Sequence, residues 1–348
     1  MLMKILNVML TRGKGGLEQV FLDYNFAFRR NGISAVSVVH KKSPLILDQE
    51  DHFYKIANFS KYDPFALLSL WQIVRKEKPD IILTHGNRAH YLMHKIAGRI
   101  PLVGISHVYS FSHITKCDYI ITVNKDMINN LASLGYNKSR IFHIPNMLKA
   151  RPGIKYKKPS SLRSTPTLGL LARLDPIKGI DIFIQAIASL KSRNIEINAI
   201  IGGDGPEYNN IKNLISHFKL EDNIKMIGWV ENKEAFYNEI DILCMPSLKE
   251  TFGLVILESF LYSKPVIISI LPGPMEIVRH NENGLVFNTG NPDDLAEKIE
   301  LLAFNQNLQE NLSKQAFEDL KEYSEAKISD KIASSFEEIW KQAGGKTP

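Results

Sequence analysis

Two pairs of charged residues have the types and spacing to hold a polyanion at its middle and its ends. Arg173 and Lys178 straddle a turn in ARLDPIKG, residues 172–179, between an apolar run of strand length and a run with helical spacing. Two cations beside a helix N-terminus make a phosphate site, because the dipole and free N–H groups add to the charge and Arg grips two oxygens at once. Glu250 and Glu258 bracket an aromatic-glycine turn in KETFGLVILES, residues 249–259. With a helix starting near Gly253, Glu258 sits about five residues and about 7 Å along it, and the carboxylates are about 12 Å apart. That separation suits the span of a nucleotide sugar, from the hydroxyls of its sugar past the diphosphate to its ribose. Glu250 then accepts from the sugar and Glu258 from the ribose, with the helix N-terminus facing the phosphates. The bland alternatives are a solvated basic loop and a surface helix bearing two glutamates.

Other candidates carry less. IIGGDGPEYNN, 200–210, is a strand–turn–helix junction whose Gly203 allows close backbone approach. Gly203 and Gly205 are followed by Pro206, Glu207 and Tyr208 with no third glycine in register, so the dinucleotide fingerprint fails. In THGNRAH, His85, Asn87 and His90 flank a strand end and are expected to touch an acceptor. His90 and His94 stand at i, i+4, but no acid lies between them as in a zinc-protease helix. No metal site is expected.

These loops need rigid elements behind them, and the sequence alternates strand and helix. KILNVML, ISAVSVVH, IILTH, PLVGISH, YIITVN and RIFHIPN read as strands in the first part, with helices after Gly16 and over FALLSLWQIVRKEKPD and AHYLMHKIAG. The polar, Pro/Gly-punctuated stretch 151–165 reads as a linker. The alternation then restarts through TLGLLA, IEINAIIGG, IKMIGWV, DILCMPS, PVIIS and GLVF, with helices between them and an amphipathic tail to about 344. Such alternation implies parallel sheets covered on both faces, with ligands beyond the strands' carboxyl ends. The expected architecture is α/β, with two doubly wound Rossmann-like domains, 1–150 and 166–327, facing across a cleft. A helix over about 328–344 is expected to pack back on the first domain.

At 348 residues, 44% apolar and 23% charged, the sequence supports two ordinary cores. Cys117 and Cys244 lie far apart without ligand-like neighbours, which points to a reducing compartment. No signal peptide or spanning segment is read. Charge is uneven: residues 1–150 hold 20 Lys and Arg against 10 Asp and Glu, while the rest holds 23 against 27. The basic half is expected to meet something anionic. Arg29, Arg30, Lys41, Lys42, Lys95 and Arg99 are candidate contacts to anionic lipid.

GLLARLDPIKGIDIFIQA, IIGGDGPE, IKMIGWV, CMPSLKETFGLVILESFLYSKPVI and GPMEIVRHNENGLVF occur in order. Together they resemble the donor domain of family 4 of the retaining glycosyltransferases, of the GT-B fold. Glu250, Phe252, Gly253 and Glu258 match its E-x-F-G-x-x-x-x-E signature. GKGGLEQVF and DYIITVNKDMINNLASLGYNKSRIFHIPN resemble the first domain more loosely. The resemblance implies diphosphate binding by Arg173 and Lys178, ribose binding by Glu258 and sugar binding by Glu250. It places the base near Gly228 and Trp229 and donor contacts along Gly203, Thr251, Phe252, Gly253 and Leu254. Gly15 and Gly16 would let the first-domain loop approach the phosphates, and His107 matches the family's active-site histidine. Pro272 and Asn146-Met147 depart from the glycines that many relatives carry there.

The implied reaction is transfer of a sugar from a UDP-, GDP- or ADP-sugar to an acceptor hydroxyl, with retention and without a metal or other cofactor. His107, Glu250, Arg173 and Lys178 are the expected catalytic set. The expected acceptor is a lipid-linked or lipopolysaccharide-type saccharide, met in the cytoplasm or on the inner membrane face. Rival readings are a nucleotide-sugar epimerase of the same fold and a non-enzymatic binder of anionic polymers. Nucleic acid is not an expected partner, since no recognition module is present.

Overall fold

The computed structural model describes residues 3–13, 15–45, 52–149, 153–159 and 163–345. The expected linker 151–165 lies partly outside them. Two compact units result, one running to Lys149 and resuming at Glu322, the other holding the residues between and ending at Lys321. The second unit therefore closes before the expected boundary at 327.

Among the described residues, the first unit is built on β1 (Lys4–Met9), α1 (Gly16–Arg30), β2 (Ser34–His40), β3 (His52–Ile56), α2 (Pro64–Glu77), β4 (Ile81–His85) and α3 (Asn87–His94). It continues through β5 (Leu102–Ser106), β6 (Tyr119–Thr122), α4 (Asp126–Ser133) and β7 (Ile141–His143). All its strand pairs are parallel, in the order β3-β2-β1-β4-β5-β6-β7. Ile5, Leu6, Val8 and Met9 are fully buried, as a central parallel strand covered on both faces requires. Leu70, Ile73 and Val74 of α2 pack on one face with Leu92 and Met93 of α3. Val20, Tyr24, Ala27 and Phe28 of α1 pack on the other.

The second unit runs β8 (Thr167–Leu171), α5 (Ile180–Ser192), β9 (Asn198–Gly202), α6 (Tyr208–His217), β10 (Ile224–Gly228), α7 (Lys233–Glu239) and β11 (Ile242–Met245). Then come α8 (Leu254–Leu261), β12 (Val266–Ser269), β13 (Leu285–Phe287), α9 (Pro292–Ala303) and α10 (Gln306–Asp319). Its sheet is parallel too, in the order β10-β9-β8-β11-β12-β13. The amphipathic tail forms two helices, α10 and the last helix of the chain. After α10 the chain leaves the second unit, and α11 (Glu325–Gln342) lays Ile328, Ile332, Phe336 and Ile339 against α1 in the first unit's core. The ring of Phe336 meets Phe28 edge-on at 5.0 Å.

Candidate functional site

In the second sheet β8 and β11 are neighbours, although the chain visits β9 and β10 between them. The loops leaving such a pair open a crevice beyond the strand ends, the usual ligand position in a doubly wound sheet. Arg173 and Lys178 lie in the loop after β8, and Glu250 in the loop after β11. Lys178 Nζ donates to Glu250 Oε2 at 2.8 Å, with side chains only 21% and 17% exposed. Glu250 Oε1 accepts from the Thr251 N–H at 2.9 Å. The N–H groups of Leu248 and Lys249 donate to Ile177 O at 2.8 and 3.3 Å, so backbone bonds also join the two loops.

Arg173 is exposed, and its Nη2 donates to Asp175 Oδ2 at 2.6 Å. The other oxygen of Asp175 accepts from the Ile177 N–H at 3.3 Å. Asp175 thus holds both the cation and its loop, a role the sequence reading missed. Gly203 has φ 136°, and a Cβ there would lie 1.8 Å from Ala172 O. The turn after β9 is therefore pressed onto the backbone beside Arg173.

Gly253 caps α8 with φ 92°, and Glu258 is the fifth residue of the helix, as the spacing predicts. Its carboxylate, with a side chain 13% exposed, pairs with Lys233 and accepts from Tyr237 Oη at 3.3 Å. Tyr237 stacks on Tyr262 with centroids 4.9 Å apart. Lys233 and Tyr262 line a cavity of about 530 Å³ together with Glu231, Asn232 and Glu234. Gly228 ends β10 and the half-exposed Trp229 follows it, five and four residues before Lys233. Lys233 and Tyr237 escaped the sequence reading because their pairing depends on α7 lying beside α8, which no local pattern reveals.

The first unit gathers a different set. α1 starts at Gly16 with Gly15 as its cap, and the buried Glu18 one turn on accepts from Thr11 Oγ1 at 2.7 Å. His107 follows β5, half-buried, its Nε2 3.4 Å from His85 Nδ1 and its ring stacked on that of His85. His85 Nε2 lies 2.9 Å from Asn7 Oδ1, Asn7 Nδ2 donates to Asn25 Oδ1 at 2.8 Å, and Asn25 Nδ2 donates to Ser37 Oγ at 2.8 Å. With the Asn7 and Asn25 amides oriented in this way, the amide oxygen facing His85 Nε2 makes that nitrogen the N–H, and His85 Nδ1 then accepts from His107 Nε2. Burial lowers the pKa of His107 to about 4 and that of His85 well below its ordinary value, so both rings are neutral at pH 7.

The expected acceptor contacts need correction. His85 and His90 are 1% and 2% exposed. His90 Nδ1 is 2.8 Å from Thr84 Oγ1, which itself donates to Val103 O. Both histidines are interior groups without access to an acceptor; only Asn87 is exposed, its Nδ2 3.4 Å from Ser110 Oγ. His94, by contrast, is exposed, so the i, i+4 pair does not converge. Among the described residues no three His, Cys, Asp or Glu side chains converge as metal ligands. The sequence reading also missed Arg12, which donates to His40 Nε2 and Asn58 O at 3.2 and 2.7 Å, and Arg88, which donates to Leu10 O at 3.3 Å. These cations flank β1 and β4, neighbours in the first sheet.

Comparison with known proteins shows the family and the fold. The family model Glycosyltransferase Family 4 matches residues 14–149, and Glycosyl transferases group 1 matches 155–319. An uncharacterized glycosyltransferase of Methanocaldococcus jannaschii is 32% identical over 265 residues, covering 75% of this chain and 69% of that protein. The lipopolysaccharide core biosynthesis glycosyltransferase LpsE of Rhizobium meliloti is 25% identical over 317 residues, 88% of this chain and 91% of its own. Among solved structures, Anabaena HepE in complex with UDP and glucose superposes with a TM-score of 0.80 at 21% identity, over 97% of this chain and all of that one.

Proposed function

The chain belongs to glycosyltransferase family 4 and has the GT-B fold of two Rossmann-like units, and on that premise we propose that it transfers a sugar from a nucleotide-diphospho-sugar to an acceptor hydroxyl with retention at the anomeric carbon. The Lys178–Glu250 pair at the β8/β11 switch point carries this reading. A lysine has three N–H donors. One holds Glu250, and the others are available to a diphosphate in the same crevice. Glu250 is thereby aimed at the sugar hydroxyls, and Arg173 reaches the phosphates from the same loop. The helix start at Gly253 adds its N–H groups, while Glu258 takes the ribose and the cavity beside Lys233 and Tyr262 receives the nucleoside end.

As the glycosidic bond breaks, negative charge grows on the leaving phosphate and positive charge on the sugar ring. Contacts from Arg173, Lys178 and the α8 N-terminus strengthen with that charge, which is how they lower the barrier. The acceptor attacks from the face the diphosphate leaves, and the departing phosphate oxygen takes its proton. Side-chain cations neutralise the leaving group here, so a chelator is expected to leave turnover unchanged. We assign the acceptor to the first unit, with neutral His107 as its polar contact and Arg12 and Arg88 meeting anionic groups. The naming of LpsE for lipopolysaccharide core biosynthesis supports a lipopolysaccharide-type or other lipid-linked saccharide as the acceptor. HepE, solved with UDP and glucose, makes UDP-sugars the first donors to try. A thermal-shift screen of UDP-, GDP- and ADP-sugars tests the reading, since a ligand bound only by the folded chain raises its Tm. No shift with any of them would overturn it.

A further inference from the structure

The large apolar side chains that the first unit exposes are concentrated in one stretch. Phe59, Tyr62, Phe65, Leu68 and Trp71 are 79%, 68%, 80%, 53% and 41% exposed. On α2, Phe65, Leu68 and Trp71 recur every three residues on the outward side, while Ala66, Leu70, Ile73 and Val74 turn into the core. A helix that only covers a sheet carries polar residues outward, whereas this one exposes three large apolar side chains there and has its exposed polar residues, Gln72, Arg75 and Lys76, towards its end. The two acids of the stretch 59–78, Asp63 and Glu77, are both buried. Asp63 caps α2 through the N–H groups of Phe65 and Ala66, and Glu77 accepts from Lys4 and Tyr54.

What surrounds the apolar stripe is cationic. Arg75 lies 4.5 Å from the Trp71 ring, and Lys76 and Lys78 follow at the helix end. Lys61, Lys95 and Lys116 converge on one ring, that of Tyr91, at 5.7, 5.2 and 5.8 Å. Among the described residues none of these three lysines forms an ion pair. An apolar stripe with a cationic margin and no exposed acid within residues 59–78 complements an anionic lipid surface, and α2 at 14 residues is too short to cross a bilayer.

We propose that this face of α2 and the turn before it dock on an anionic bilayer, the five apolar side chains entering the headgroup–acyl boundary and the lysines resting over the lipid phosphates. The proposal deepens the reading of a lipid-linked acceptor and rests on it for its purpose. α2 begins at the carboxyl edge of the first sheet, the same edge as the loops carrying Gly15 and His107, so docking would bring the acceptor side to the lipid. Of the six basic residues expected from the sequence to meet lipid, only Lys95 belongs to this margin. Arg29 and Arg30 end α1, and Lys95 and Arg99 follow α3, both at the sheet's amino edge. Lys41 and Lys42 follow β2 at the opposite edge, so those six residues do not share one face.

The test uses the full chain with vesicles of phosphatidylcholine alone or mixed with phosphatidylglycerol, without any saccharide acceptor. Wild type is expected to cosediment with the mixed vesicles, and its tryptophan emission to shift blue there but not in Trp71→Phe. Phe65→Ser with Leu68→Ser should lower partitioning by about 30-fold or more at unchanged Tm. Lys61→Gln with Lys95→Gln and Lys116→Gln should lower it by about 10-fold or more on mixed vesicles only. Absence of cosedimentation, or a serine variant that binds like wild type, would overturn the proposal. So would a wild-type dimer that the serine variant converts to monomer, which would make this face a contact between copies. Nucleotide-sugar binding measured on the same samples should be equal in all variants. Its loss from wild type would count against the donor reading and leave the lipid result standing.

Discussion

Lys178 and Glu250 are 72 residues apart in sequence, yet Nζ and Oε2 are 2.8 Å apart because their loops follow adjacent strands. Each is mostly shielded from water, so the pair acts at a lower effective dielectric than a surface ion pair. Lys178→Ala removes both the phosphate contact and the group that aims Glu250. Turnover should fall by about 100-fold or more, and nucleoside-diphosphate affinity by about tenfold. Glu250→Gln keeps the shape but loses the charged acceptor, so turnover should fall while diphosphate affinity stays near wild type. Steady-state transfer assays with calorimetric titration of the diphosphate separate the two effects. Lys178→Ala with normal kinetics and affinity would refute the assignment.

Glu258 is held from two sides, by Lys233 and by Tyr237. Glu258→Ala should weaken nucleotide binding by about tenfold, the worth of a charged hydrogen-bonded contact. Lys233→Met should weaken it less, because Tyr237 still orients the carboxylate. Titration with the free nucleoside diphosphate checks both, and equal losses in the two variants would mean that Lys233 itself contacts the ligand.

The loops were legible because each motif sits where a strand turns into a helix, and composition marks such junctions well. Glu258 falls at the fifth position of α8, as the glycine and apolar spacing predict. β3 was not legible: HFYKI carries His52 and Lys55 outward on an edge strand, so it lacks the continuous apolar run of its neighbours. The amphipathic tail predicts a terminal helix over about 328–344, which corresponds to α11, whereas α10 has no expectation of its own, since an amphipathic pattern alone does not show which core it covers. His85 and His90 read as site residues because they flank a strand end, whereas their partners Asn7 and Thr84 come from within strands. Pairings of that kind are set by sheet order and leave no trace in local pattern.

The bond chain from Ser37 through Asn25, Asn7 and His85 to His107 makes a spectroscopic prediction. Nitrogen–proton correlation spectra at pH 7 should show His85 and His107 both as neutral rings protonated at Nε2. An Nδ1–H tautomer on either would contradict the proton positions derived from the amides. His107→Ala should lower transfer by about 100-fold with donor affinity retained. Wild-type transfer in that variant would make the ring structural.

Two glycines of the second unit differ in why they are glycine. A Cβ at Gly203 would meet Ala172 O at 1.8 Å, whereas one at Gly228, with φ 70°, would meet nothing within 4 Å. Gly203→Ala should therefore cost more than about 3 kcal/mol and disturb the Arg173 loop. Gly228→Ala should cost only the left-handed backbone preference, about 1–2 kcal/mol. Urea unfolding of both variants checks the order, and equal losses would mean that the turn after β9 yields freely.

Stability should fall on the acid side, and the sign follows from which groups are buried neutral. Burial lowers His107 to about 4, His90 to about 3 and His85 well below its usual value. Above pH 6.5 these rings are neutral whether the chain is folded or not, and their contribution is fully present. As the pH falls below that, the unfolded chain takes protons that the folded chain refuses, at up to about 1.4 kcal/mol per pH unit per histidine. Asp23 works the other way. Burial raises its pKa to about 6 despite Gln19 and Lys149, so between 3.8 and about 6 it is the folded chain that gains a proton. Three histidines outweigh one carboxylate, and Tm should drop steadily from pH 6.5 towards pH 4. Asp23→Asn removes the opposing proton and should steepen that drop. A Tm that is flat or rising over this range, measured in buffers of constant ionic strength, would show that the histidines are protonated within the fold.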